Sequence, residues 1–161
     1  MKSCDVESFI ILFLSIFLFG ASFTGTLWNF LVLAIVCASI WVVMYNFQGK
    51  MYMEQKLNTL AISNFKEAAK GSTVIILFSW ILVIINIFVF IYACVSKDDF
   101  LRMLRKEQVD KNEANQFYTL VVIITVLSII MMLLFLLLSY KSKSCFTKVN
   151  KELSTLSTTM Q

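Results

Sequence analysis

Four long runs of uncharged, mostly apolar residues alternate with polar stretches along this chain, at residues 9–23, 27–47, 73–95 and 117–140. At about 1.5 Å per helical residue such runs cross a hydrocarbon core of about 30 Å, the first only barely. The pattern predicts an all-α polytopic membrane protein, with four transmembrane helices in two antiparallel hairpins. Thr24-Gly25-Thr26 is the only break between the first two runs, which predicts a tight hairpin with Trp28 near the interface.

The polar stretches differ in kind. In residues 48–72, Met53, Leu57, Leu60, Ala61, Phe65 and Ala68 share one helical face, while Lys56, Ser63, Lys66, Glu67 and Lys70 lie mostly on the other. This predicts a cytoplasmic amphipathic helix between spans two and three. It either packs on the protein's own helix ends or lies in the lipid interface, with Met53, Leu57, Leu60 and Phe65 as its membrane face. Residues 96–116 hold five basic and five acidic side chains. Ser96 with Asp99 resembles a capping box with Asp in place of Glu, and Asp98–Arg102, Lys106–Asp110 and Glu107–Lys111 stand at i,i+4. A short solvated helix extending the third span is expected there, as a plain soluble face or a partner-docking surface. The tail, 141–161, carries four Lys against one Glu and ends Ser/Thr-rich.

The leader, residues 1–8, has two acids against one Lys, a poor signal-peptide n-region, so the first run is expected to be a retained helix. On a four-span reading, the leader, second polar stretch and tail share one side with nine Lys or Arg; the other side has five. The positive-inside rule then places both termini in the cytoplasm.

Composition narrows the class further. Hydrophobic residues make up 59% of the 161, charged ones 15%, and His and Pro are absent. A soluble enzyme or a nucleic-acid binder is excluded at this step, and the net charge of +4 is explained by anionic lipid. No imidazole exists to act as base, proton relay or metal ligand. No ionisable Asp, Glu, Lys or Arg lies inside a span, which counts against a proton-coupled transporter. No cofactor or metal is expected, and no enzyme.

Ser15, Asn29, Ser39, Ser79, Asn86, Thr125 and Ser128 are polar residues within the spans. Asn29, Ser79 and Asn86 are the candidate helix–helix polar contacts, and Asn86, near the middle of its span, is the one a substrate could also use. Cys4 and Cys145 fall on the cytoplasmic side, Cys37 in mid-membrane and Cys94 near the outer end of its span, so no pair staples an outer loop. Cys145, in Lys-Ser-Lys-Ser-Cys after the fourth span, is either a candidate S-acylation site or a free juxtamembrane thiol.

Leu57-Asn58-Thr59 followed by Ser63-Asn64-Phe65-Lys66-Glu67-Ala68-Ala69-Lys70-Gly71-Ser72 resembles the loop signature of the dispanin family, the interferon-induced-transmembrane type. Asn58, Ala68 and Ser72 match; Asn64 and Phe65 are conservative replacements; Ser63 replaces a Gly and Gly71 an Ala. The basic cluster that usually follows the Ser is missing, and the stretch between Tyr45 and Lys56 is longer than the pattern. The resemblance covers residues 27–95 and leaves out the first and last spans. It implies a membrane-remodelling or trafficking-associated protein that changes bilayer order and self-associates, with juxtamembrane acylation. The residues themselves favour a non-enzymatic accessory subunit, scaffold or membrane organiser, partnered by the bilayer and by other membrane subunits or copies of itself. An oligomeric channel or transporter subunit is the alternative.

Overall fold

The computed structural model describes residues 4–21, 26–106 and 111–159. They form five helices: α1 (Asp5–Ala21), α2 (Thr26–Glu54), α3 (Asn58–Val95), α4 (Lys97–Lys106) and α5 (Lys111–Thr159). Among the described residues there is no strand. Three helices are long and apolar enough to cross a membrane, within Asn29–Glu54, Asn58–Val95 and Asn112–Leu156. At 17 residues, or about 26 Å, α1 stops just short of a typical hydrocarbon thickness.

The helices extend beyond their apolar stretches. The 38 residues of α3 extend about 57 Å and the 49 of α5 about 74 Å, far more than a bilayer core requires. The polar stretch at 48–72 is accordingly not a separate amphipathic helix. Its first part is the last turns of α2, and from Asn58 it is the start of α3. The break is only three residues. Lys56 adopts a left-handed backbone (φ 59°), its N–H bonding to the Met53 carbonyl at 3.0 Å and that of Leu57 to the Tyr52 carbonyl at 2.9 Å. That pair of bonds is a Schellman cap with Lys where Gly is usual.

Two compact units make up the chain: one from residues 1–80 and 135–161, the other from 81–134. The first is an up-down four-helix bundle of α1, α2, the start of α3 and the end of α5. Asp5 pairs with Lys50 across α1/α2, a Cβ on Gly49 would meet the Phe65 ring across α2/α3, and the Phe65 and Phe146 rings stack at 6.3 Å across α3/α5. Cys4 closes the square by a disulfide to Cys145 of α5. Close approach of α2 and α3 depends on Gly71, where a Cβ would stand 2.8 Å from Val42 Cγ2.

Buried positions in this unit recur at alternating steps of three and four: Cys4 just before α1 and Ser8, Ile11 and Ser15 in it; Val32, Ile35, Ser39, Val42, Asn46 and Gly49 in α2; Ala61, Phe65, Ala68, Ser72, Ile75 and Ser79 in α3; Phe135, Ser139, Ser142, Phe146, Val149 and Leu153 in α5. This is the 3.5-residue period of left-handed helix packing. Many large apolar side chains nevertheless point outward: Phe13 is 72% exposed and Phe47 70%. Serines share the interior with Ile, Val and Phe while many large apolar side chains stay outside, as a lipid solvent allows, because burying Leu or Phe gains little when the surroundings are equally apolar.

The second unit is a hairpin of the end of α3 and the start of α5, with α4 between them in sequence. Tyr118 donates to the Ala93 carbonyl at 3.1 Å, and Lys97 Nζ sits 5.3 Å from the Tyr118 ring centre. The short helix expected in the charged stretch is present as α4. Ser96 precedes its first residue, and Asp98 and Asp99 lie in its first turn, where acids complement the helix dipole. The spaced pairs Lys106–Asp110 and Glu107–Lys111 fall on or beside residues outside the described ones.

Candidate functional site

Two places in the first unit gather polar side chains in its interior or at its helix ends: a seam of buried hydroxyls, and a polar clamp where α1 begins. In the seam, Ser8, Ser39, Ser72 and Ser139 each donate to the carbonyl four residues earlier, at 2.7, 2.7, 3.2 and 2.9 Å, and Ser15 donates to that of Leu12 at 2.8 Å. Ser72 and Ser142 hydroxyls also meet across α3/α5 at 3.4 Å. Each helix thus satisfies most of its own hydroxyls, leaving small surfaces that neighbouring helices can approach.

In the clamp, Asp5 accepts from Asn46 Nδ2 at 2.9 Å and forms an ion pair with Lys50, Glu7 lies 3.5 Å from Lys141, and Cys4 is bonded to Cys145 with Cα atoms 6.0 Å apart. Asn46 is 4% exposed, and its Oδ1 has no hydrogen-bond partner among the described residues. Oriented with its amide nitrogen toward Ile62, Asn150 of α5 reaches the Ile62 carbonyl at 3.1 Å and the Lys66 N–H at 3.2 Å on α3.

Of the three polar residues expected to join helices, one does so. Asn86, in the second unit, accepts from Ser128 at 3.3 Å across α3/α5 and donates to the Leu82 carbonyl at 2.9 Å. Asn29 Oδ1 and Ser79 Oγ are buried with no hydrogen-bond partner among the described residues. The expected membrane face divides. Phe65 is 2% exposed, packed on Gly49 and Phe146, so it belongs to the bundle interior; Leu57 and Leu60 are exposed, and Met53 is half-buried. Cys145 is also placed differently from expectation. Its sulfur is bonded to Cys4, and a sulfur in a disulfide cannot carry an acyl chain, so acylation at Cys145 is incompatible with this form of the molecule. Cys37 and Cys94 are free and exposed.

Sequence reasoning missed the clamp. Its one available signal was that Cys4 and Cys145 fall on the same side of a four-span chain, as do Asp5, Glu7, Lys50 and Lys141. Among the described residues, no three His, Cys, Asp or Glu side chains gather as metal ligands would. No family model, curated protein or solved structure matches this chain.

Proposed function

We propose that this chain is a non-enzymatic, four-span integral membrane protein that acts through helix packing, as an accessory or scaffold subunit or a membrane organiser. The observation that carries the reading is the self-satisfied hydroxyl seam inside an apolar exterior. Such an interior serves close helix approach, while the exterior is suited to lipid or to other membrane helices. The fourth span is α1, whose Phe9, Phe13 and Phe17 are exposed on one side; a helix this short is accommodated by local thinning of the bilayer at modest cost.

Affinity purification of the full chain from native membranes in mild detergent tests this. A stoichiometric membrane partner or a homo-oligomer is expected, and a lone monomer would remove the subunit role. A second reading, an oligomeric pore, is favoured by the buried Asn86–Ser128 pair. It predicts solute flux in proteoliposomes that Asn86→Leu abolishes.

The Lys and Arg count supports a cytoplasmic side for both termini. On that side thiols are kept reduced, so the Cys4–Cys145 disulfide is the oxidised form of a pair that rests as thiols. Alkylation of intact cells before lysis is expected to trap both cysteines. A fully oxidised pair in resting cells would instead put the termini on the other side.

A further inference from the structure

On the outward face of α5, Tyr140, Lys143, Ser144, Thr147, Lys148 and Lys151 line a shallow groove of about 360 Å³. This face is opposite the buried stripe of Ser142, Phe146, Val149 and Leu153. We propose that the groove binds the headgroup of an anionic phospholipid.

Charge gives the first reason. Lys50, Lys70 and Lys141 each sit against a carboxylate, whereas none of Lys143, Lys148 and Lys151 is ion-paired among the described residues. Glu152, the one acid nearby in sequence, does not line the groove. Three cations therefore converge on one face without internal compensation, beside two hydroxyls that can bond phosphate oxygens.

Position gives the second. Tyr140 ends the apolar run and accepts a hydrogen bond from Trp80 Nε1 at 3.2 Å. An aromatic pair of this kind sits at the headgroup level, with its rings toward the acyl chains and its polar atoms toward water. From Tyr140, Lys143, Lys148 and Lys151 rise by about 4.5, 12 and 16.5 Å along the helix. Because Cα–Cβ bonds tilt toward a helix N-terminus, these lysines lean back toward Tyr140 and the bilayer. Their aliphatic stems lie along the helix while the ammonium groups reach down to the phosphates. A helix leaving the membrane at its N-terminal end would aim the same lysines away. The hydroxyls of Ser144 and Thr147 sit between the lysines in height, and the apolar flank of α5 below Tyr140 takes the acyl chains.

The site rests on the membrane reading above, and its test separates the two. Purified full-length chain in mixed micelles of phosphatidylcholine and phosphatidylserine is examined by native mass spectrometry for retained lipid. Phosphatidylserine is expected to be retained over phosphatidylcholine. Each lysine near an anionic surface contributes about five-fold, so the triple variant Lys143→Gln/Lys148→Gln/Lys151→Gln should lose about a hundred-fold in affinity. The corresponding triple Arg variant and Lys66→Gln/Lys70→Gln on α3 should keep it. Undiminished phosphatidylserine retention by the triple Gln variant would overturn the site. So would equal loss in the α3 variant, which would mark a diffuse charge effect, or displacement of the lipid by free phosphoserine, which would mark a phosphate site without a lipid requirement. A wild-type chain that resists carbonate extraction from membranes yet fails to discriminate the two lipids would overturn this site and leave the membrane reading standing.

Discussion

Lys56 holds a backbone conformation that costs an L-residue with a Cβ about 1 kcal/mol, and its side chain is exposed. Lys56→Gly is therefore expected to stabilise the fold by about 0.5–1 kcal/mol, read as a rise in thermal midpoint in detergent. Gly71 presents the opposite case. Any side chain there runs into the branched Val42 of a helix that cannot easily retreat. Gly71→Leu should lower the midpoint by the equivalent of about 1–3 kcal/mol, and Val42→Ala in the same chain should restore part of it. At Gly49 the obstructing group is the edge of the Phe65 ring, which can swing, so Gly49→Ala should cost less. Sequence marks Gly71 as a glycine inside a helical pattern. The close approach that makes it necessary belongs to the pairing with α2, and nothing local to residues 68–74 reveals that pairing.

Among the elements, the apolar cores of α2, α3 and α5 were legible because lipid demands an unbroken uncharged run, and such runs are visible without tertiary knowledge. Where those helices end was not. The residues 58–72 look like an interfacial amphipathic helix because a bundle interior and a leaflet impose the same apolar stripe. Only contact with Gly49 and Phe146 identifies which one Phe65 faces. The three–four spacing of small polar residues, Ser72, Ser79 and Asn86 among them, was present in the sequence as a seven-residue repeat. Read residue by residue, each looked like an isolated polar residue in a span. Read together, they mark the packed face of α3. Asn86→Leu, by removing the acceptor for Ser128, should cost about 0.6 kcal/mol and no more than about 1.7, seen as a small drop in midpoint without loss of helicity. A much larger drop would mean that Asn86 holds more than this one bond.

For the molecule as a whole, the strongest tie is the one furthest apart in sequence. The Cys4–Cys145 bond spans 141 residues, and closing so long a loop is worth up to about 5 kcal/mol in the chain-entropy model. Cys4→Ser is expected to lower stability under oxidising conditions and to change nothing when reductant is present, a contrast that separates the covalent term from packing of the buried Cys4 side chain. Neither cysteine advertises the bond. Cys4 sits in a short polar leader and Cys145 in a lysine-rich tail, and only the up-down path of four helices returns the last of them to the start of the first.

That bond also changes what it means to cut the chain. Oxidised, residues 4–145 form a closed circle, and one cleavage opens a circle without dividing it. The turn at Lys56 is exposed and carries a trypsin site. After cleavage there, the pieces before and after Lys56 should run as a single species on a non-reducing gel and part only when thiol is added. A protease or a processing enzyme acting at that turn would leave the severed halves held together until the redox state of the compartment released them.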